Sequence, residues 1–370
     1  MLCITLGEQG GAQSFLLKLA VFLQQKGHEV TVVSGHGEWL KQQCERQNTP
    51  YYLIPSLQRE IHPVLDWKAS KELKRLFEEI KPDAVHLNST KMGIIGSYAA
   101  KKTGIQNVVY RIGGWVFLEQ LPAWKKLMYK QLEIRTAIWK DTILCVHPGD
   151  AVTAERVGIK PRKALLGIPN GIDISRFRDT LLSRTDARAR MNISNQDIVF
   201  GTIANFFPPK NLPNYMEACH AVAEKIPNAK FLILGDGRER GVIEGKRKEH
   251  SLEQNVLLPG AYENASTLLH AFDVFVLPSS KEGMSFALLE AMAAGLPCVA
   301  TDVGAASYML ENGNCGWLSP YEDMTQLADN MISALQTLTV NQKGELAAMK
   351  AERDFPLEKT LEANLTALLR

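Results

Sequence analysis

The chain reads as an α/β protein of two successive parallel-sheet units, each wound with helices. Three observations lead there. Short apolar runs bounded by turn residues alternate with amphipathic stretches, as in a parallel sheet joined by crossover helices. The alternation loosens at about residues 160–196 and then restarts. The length, 370 residues, suits two domains that each bury a core.

The elements follow in order. MLCITL is a strand, GEQGGAQ a turn, and SFLLKLAVFLQQKGHE an amphipathic helix closed at Gly27. EVTVVSG and YYLIP are the next strands, then a helix over Lys68–Ile80 and the strand DAVHLN. A helix Met92–Thr103, the strand NVVYRI, a helix Ala123–Trp139 and the strand DTILCVH complete the first unit. Residues 160–196 hold two prolines, turn signals and dense charge, and read as an interdomain connection. The second unit runs DIVFGTIA, helix Pro213–Lys225, KFLILGDG, helix Arg238–His250, NVLLPG, helix Ala265–Ala271, DVFVLPS, helix Phe286–Ala294, LPCVATD, helix Ala306–Asn312 and CGWLSP. DFPLEKTLEANLTALL is a terminal helix. The crevice between two such units is the default ligand site.

Composition narrows the function classes. Hydrophobic residues make up 45% and charged residues 22%, which is ordinary for a globular chain. No apolar run reaches membrane-span length, and the N-terminus lacks the pattern of a signal peptide. The six cysteines are scattered with no C-x-x-C pair, which argues against a zinc ribbon or a disulfide framework and fits a reducing cytoplasm. No H-E-x-x-H or D-x-D pattern occurs, so no metal is expected. The net charge of +2 hides a local basic excess: residues 84–140 carry 9 Lys+Arg against 2 Asp+Glu. Such a patch favours an anionic partner, phosphate or membrane surface.

The strongest motif is KEGMSFALLEAMAAGLPCVATDVGA, residues 281–305. Glu282 and Glu290 are eight apart. Glu282 follows the strand DVFVLPSS, and the amides of Gly283, Met284, Ser285 and Phe286 lie at a helix N-terminus. Free amides and the positive end of a helix dipole suit a diphosphate. Eight residues along a helix span about 12 Å. The two carboxylates therefore fit two ends of an extended hydroxyl-bearing ligand better than one atom. The bland alternative makes Glu282 a cap and Glu290 a solvated residue.

With these residues the sequence resembles the retaining family 4 glycosyltransferases, whose GT-B fold has two facing Rossmann-like, doubly wound parallel-sheet domains with an interdomain cleft. Further matches follow in the same order: GGAQ at Gly10–Gln13, KGHEVTVVSG at 26–35, PDAVHLNSTKMGIIG at 82–96, PNGID at 169–173, LILGDG at 232–237 and NVLLPGAYEN at 255–264. The resemblance covers essentially the whole chain. It implies an acceptor-side domain over 1–168, a donor-side domain over 169–354, and a helix over 355–370 that packs back on the first domain. It implies metal-independent transfer of a sugar from a nucleotide sugar with retention at the anomeric carbon. Glu282 would contact the donor sugar, Glu290 the ribose hydroxyls, and the amides of Gly283–Phe286 with Lys210 the diphosphate. Gly10, Gly11, Asn205 and Gly235 would complete donor binding. Asp236 reads better as a turn residue, and Asn170 and Gly171 as turn residues near the cleft.

Two positions depart from the family. Gly113 stands where its members often carry a His that reaches the donor sugar, and Asn205 where an Arg often precedes the phosphate Lys. Arg111, two residues from Gly113, offers charge. His86 reads as a core or strand-end histidine, and His147 as a strand-end residue able to face the cleft. Residues 122–140 mix Lys125, Lys126, Lys130, Arg135 and Lys140 with Trp124, Leu127, Met128 and Trp139, the composition of an interfacial helix on anionic lipid or of an ordinary helix with a solvated basic face. No nucleic-acid module accompanies it.

The expected activity is therefore transfer from a nucleotide sugar to a glycan or lipid-linked acceptor in cell-surface polysaccharide synthesis. The expected location is cytoplasmic, peripheral on the inner membrane face. The rival reading is an inactive GT-B homologue that binds nucleotide sugar or glycan as a scaffold. A sugar-nucleotide epimerase or a phosphorylase has less support.

Overall fold

The apolar runs of the first half become seven strands: β1 (Leu2–Ile4), β2 (Val32–Ser34), β3 (Tyr51–Leu53), β4 (Ala84–Asn88), β5 (Asn107–Ile112), β6 (Thr142–Cys145) and β7 (Ala164–Gly167). All pair in parallel, in the order β3-β2-β1-β4-β5-β6-β7. The structure is a computed structural model describing residues 1–335 and 337–370. It divides into one unit of Met1–Asn170 with Glu358–Arg370 and another of Gly171–Leu357.

In the first unit the strands alternate with α1 (Gly11–Gln25), α2 (Glu38–Arg46), α3 (Pro63–Ile80), α4 (Thr90–Thr103), α5 (Ala123–Ala137) and α6 (Pro148–Val157). Right-handed crossovers put α1 and α2 on one face of the sheet and α3 to α6 on the other. Leu73 and Phe77 of α3, Ile95 of α4 and Val85, Leu87, Tyr110 and Ile143 of the sheet form one buried cluster. On the opposite face α1 buries Phe15, Leu16, Leu19 and Leu23.

Several boundaries differ from the sequence reading. The turn expected over GEQGGAQ ends early, because α1 begins at Gly11. The side-chain amide of Gln13 donates to the Leu6 carbonyl at 3.0 Å and ties the first turn to the end of β1. Helix α3 starts five residues ahead of Lys68. Pro63 opens it without losing a needed N–H, and His62 Nδ1 accepts from the Leu65 amide. α2 and α6 were not expected.

Residues 160–196 contain the boundary between the units, at Asn170 and Gly171, but most of the stretch is regular structure rather than linker. They supply the edge strand β7, then α7 (Ile174–Asp179) and α8 (Arg184–Arg190) of the second unit. Their charge is structural: Arg184 and Arg188 both bind Asp273, at 2.6 and 2.8 Å. Arg188 is fully buried and also donates to the carbonyls of Ala271, Ser194 and Asp197. A charge count reads such a buried ion pair as solvated surface.

The second unit holds β8 (Ile198–Ile203), β9 (Ala229–Leu234), β10 (Val256–Gly260), β11 (Val274–Leu277), β12 (Cys298–Thr301) and β13 (Trp317–Ser319). They form a parallel sheet in the order β10-β9-β8-β11-β12-β13. Its helices are α9 (Leu212–Lys225), α10 (Arg240–Glu249), α11 (Phe286–Ala293), α12 (Ala306–Met309), α13 (Met324–Ser333) and α14 (Thr337–Asp354). Ala265–Ala271 is a 3₁₀ segment rather than an α-helix. The helix expected over Ala306–Asn312 stops at Met309, and Asn312 adopts a left-handed conformation inside a second 3₁₀ turn. α13 and α14 were not expected.

The last helix, α15 (Leu357–Leu369), closes the first unit. Ala367 packs with Val109 of β5 and Leu144 of β6, and Asn364 bonds His86 of β4 at 2.9 Å. Among the described residues, no helix is long and apolar enough to cross a membrane.

Candidate functional site

In the second unit the strand order reverses at β8 and β11, which lie side by side and lead to opposite halves of the sheet. Loops leaving such a pair diverge and open a crevice at the carboxyl ends of the strands. The loop after β8 carries Lys210, at the end of a 3₁₀ turn, Pro208–Lys210. The loop after β11 carries Glu282. The two loops are joined through the Ser280 amide, which donates to the Pro209 carbonyl at 2.9 Å.

Lys210 and Glu282 meet there. The Lys210 ammonium lies 2.5 Å from Glu282 Oε1, and the Ser279 hydroxyl donates to the same oxygen at 2.7 Å. The side chains are 25% and 12% exposed, so the pair is mostly sheltered yet open to a ligand. Ser279 is itself buried, and its carbonyl accepts from the Thr301 hydroxyl at 2.5 Å. From the other side the Ala305 amide donates to the Gly283 carbonyl at 2.7 Å. Gly304 makes this approach feasible: with φ +58, a Cβ there would fall 2.3 Å from the Glu282 carbonyl oxygen. Ser279, Thr301 and Gly304 were missed in the sequence. The small residues at and just after two strand ends were the available signal.

Glu282 is not a helix cap. That role belongs to Ser285, whose hydroxyl accepts from the Leu288 amide at 3.3 Å. α11 starts at Phe286 with strong helix formers and ends before Gly295. Only the Phe286–Glu290 part of the E-x7-E spacing is therefore helical, about 6 Å of rise, and the 12 Å helical estimate does not apply to the pair. Glu290 is half-buried on the fifth helical residue, while Met284 and Ser285 are buried.

The remaining second-unit positions are arranged around the ends of β8 and β9. Asn205 is exposed beside the buried Phe206. Gly235, at φ +146, lets the loop after β9 touch the loop after β8: a Cβ would lie 1.8 Å from the Ala204 carbonyl oxygen. Asp236 accepts from the Gly237 amide at 2.7 Å, as a turn residue does.

In the first unit the strand order reverses between β1 and β4. Gly10 is the N-cap of α1 without a side-chain cap, and Gly11 is its first helical residue. His86 is fully buried between Asn364 and Asn88, at 2.9 and 3.0 Å. Burial first, then the nearby Arg111 and chain amino group, lower its pKa to about 3 against the pull of Asn364, so it is a neutral core histidine. Arg111 is 5% exposed at the end of β5, stacked 3.9 Å from the Phe15 ring and hydrogen-bonded to Asn170 Oδ1; burial lowers its pKa to about 9. His147 caps α6, accepting from the Gly149 amide at 3.1 Å, and lies 3.5 Å from Asp150.

The basic helix is only partly a surface. Lys140 is fully buried, 3.2 Å from Glu133, which also accepts from the Tyr110 hydroxyl at 2.9 Å. Trp139 is half-buried, with its ring 5.6 Å from that of Tyr98. Neither belongs to an interfacial face. The buried residues of α5 begin only at Glu133. Its first half keeps Trp124 64% and Leu127 58% exposed, interleaved with Lys125, Lys126 and Lys130. All six cysteines are buried and free. Among the described residues, no group of three His, Cys, Asp or Glu side chains could hold a metal ion.

Residues 9–176 match the Glycosyltransferase Family 4 profile, and residues 197–337 match that of Glycosyl transferases group 1. The chain is 31% identical over 293 residues to the UDP-Gal:alpha-D-GlcNAc-diphosphoundecaprenol alpha-1,3-galactosyltransferase of Escherichia coli, covering 78% of this chain and 74% of that protein. It is 24% identical over 316 residues to the capsular polysaccharide biosynthesis glycosyltransferase CapM of Staphylococcus aureus, covering 84% of this chain and 81% of that one. Among solved structures, HepE of Anabaena in complex with UDP superimposes with a TM-score of 0.81 at 19% identity, over 99% of each chain, and so shares the fold. Two parallel Rossmann-like sheets, an E-x7-E loop and helix at a switch point, and these matches across both units lead to one conclusion: the chain belongs to the family 4 glycosyltransferases, with the GT-B fold.

Proposed function

We propose that this glycosyltransferase moves a hexose from a nucleoside diphosphate sugar to a sugar carried on a lipid diphosphate, with retention at the anomeric carbon. The observation that carries the reading is the Lys210–Glu282 pair, drawn from two loops at the strand-order reversal beside the start of α11. The likeness to the undecaprenol-diphosphate galactosyltransferase supports the acceptor class.

In this reading the diphosphate lies against the amides of Gly283, Met284, Ser285 and Phe286 at the positive end of α11. The Leu288 amide is already taken by Ser285. Lys210 turns from Glu282 to the phosphates on its flexible stem and stabilises the charge that develops as the glycosidic C–O bond breaks. The freed Glu282 carboxylate contacts the donor sugar, held in place by Ser279. Glu290 accepts from the ribose hydroxyls. Asn205 and Gly235 border the nucleotide. The acceptor hydroxyl attacks on the face the leaving group departs from, and its proton passes to the departing diphosphate oxygen. Charge stabilisation comes from Lys210 and helix amides, so the reaction proceeds without metal.

The exposed first half of α5 serves as an anionic-membrane contact, consistent with a lipid-borne acceptor and a peripheral, cytoplasmic-face enzyme. The test is a panel of nucleotide sugars with a chelator present, read by melting temperature and by transfer to a lipid-diphosphate sugar. The expected result is stabilisation by UDP without divalent metal and a product whose anomeric configuration, by NMR, equals that of the donor. Stabilisation seen only with added manganese, or an inverted product, refutes the corresponding part.

A further inference from the structure

We infer that Arg111 is the phosphate-binding residue of the first unit, its guanidinium receiving a phosphoryl oxygen of the acceptor's lipid-linked diphosphate. This rests on the acceptor reading above and adds a binding role that the E-x7-E site does not supply.

The molecule pairs its other buried cations with its own groups. Lys140 has Glu133 at 3.2 Å and the Thr136 hydroxyl at 2.9 Å. Arg188 has Asp273 and three backbone carbonyls. Lys350 has Asp354 at 2.8 Å. All three are completed by protein. Arg111 is 5% exposed, yet among the described residues it has no ion pair. Its hydrogen bond goes to the neutral side chain of Asn170, and its face rests on Phe15. The groups around it add no negative charge: His86 is neutral, and Asn88, its register partner on β4, is an amide. Even with its pKa lowered to about 9, Arg111 carries a full charge at neutral pH. A buried charge without a counter-ion is expensive. A protein that completes its other buried cations and leaves this one open is explained when a ligand supplies the anion.

The location agrees. Arg111 stands near the carboxyl end of β5, next to the strand that borders the order reversal, where parallel sheets bind ligands. Phe15, under its guanidinium, belongs to the first turns of α1, whose N-cap Gly10 leaves the helix start without a side-chain cap. The Asn88 Oδ1 atom is also buried without a partner, ready to accept from a ligand hydroxyl. The planar fork of arginine suits phosphate oxygens. The donor's diphosphate has its own set in the second unit, Lys210 and the start of α11, which leaves the acceptor's diphosphate for Arg111.

The experiment uses the full chain, Arg111→Gln and Arg111→Lys, with geranyl diphosphate and UDP as separate probes. Melting temperature is measured without ligand, and affinity for each probe by calorimetry. The expected result for Arg111→Gln is an unchanged or higher ligand-free melting temperature, at least tenfold weaker geranyl diphosphate binding and UDP affinity within twofold of wild type. Arg111→Lys should recover part of the lost affinity. The proposal is overturned if wild type does not bind geranyl diphosphate, if Arg111→Gln binds it as wild type does, or if UDP binding falls in parallel, which would assign the group to the donor. A lower ligand-free melting temperature with unchanged geranyl diphosphate binding would make Arg111 a packing residue. Failure of wild type to bind UDP would count against the donor site alone, and is read in a separate arm.

Discussion

Acidification should loosen the last helix of the chain through one histidine. His86 is fully buried, and its pKa lies near 3 in the folded protein against 6.5 for a free imidazole. The folded value is the lower one, so the unfolded chain binds the extra proton. The stabilising contribution is therefore intact above pH 6.5 and is lost progressively as the pH falls toward 3. At pH 5 the loss is about 1.5 pKa units at ~1.4 kcal/mol each, about 2 kcal/mol. Full burial leaves no solvent screening to discount. The group that holds His86 from α15 is Asn364, so the local readout is hydrogen exchange of the α15 amides. Protection corrected for intrinsic exchange should fall roughly 30-fold between pH 7 and pH 5 in wild type, matching that energy. In His86→Gln, which cannot titrate, α15 protection should stay level over the same range. Parallel loss of protection in the two proteins would refute the assignment.

The two glutamates of the second unit should separate in their effects. Glu290→Ala should weaken UDP binding by about 1–3 kcal/mol, because ribose hydroxyls lose a charged acceptor, whereas Glu282→Gln should leave UDP affinity nearly intact and cut transfer strongly. Calorimetry with UDP and a transfer assay on both variants decide this, and equal loss of UDP affinity in both would remove the division of roles. On α5, Lys125→Glu, Lys126→Glu and Lys130→Glu together should abolish salt-sensitive co-sedimentation with anionic vesicles while leaving UDP binding unchanged, each lysine near such a surface contributing about 1 kcal/mol. Wild type remaining in the supernatant at low salt would reduce the half-helix to a solvated one.

The class of the fold and the order of most strands were legible because strands buried on both faces read as unbroken apolar runs. DVFVLPS and KFLILGDG are examples, and both ends of each run lie close to the observed strands. Glu282 and Lys210 were legible from spacing and resemblance, but their 2.5 Å contact was not. It depends on β8 and β11 becoming neighbours, which brings together two residues 72 apart in the chain. Burial of charge was the main blind spot. Lys140 read as part of a basic surface and Arg188 as linker, since nothing local in sequence distinguishes a paired interior cation from a solvated one. The partners, Glu133 and Asp273, are seven and 85 residues away. In the sequence Arg111 stands out only for its nearness to Gly113, whereas its significance lies in what surrounds it in space.

The discontinuous first unit has a consequence for the order in which the protein forms during synthesis. Its sheet is encoded by residues up to Asn170, but α15, which covers Val109 and Leu144 and completes the hydrogen bonding of His86, comes from Glu358 onward. At ribosomal rates of roughly 5–20 residues per second, about 10–40 s separate the two. During that interval the apolar patch over β5 and β6 waits for its cover, while the second unit, encoded without interruption, emerges whole. A nascent chain arrested before residue 358 should therefore carry a finished second unit and a first unit whose sheet still exposes the α15 seat to chaperones and to other chains.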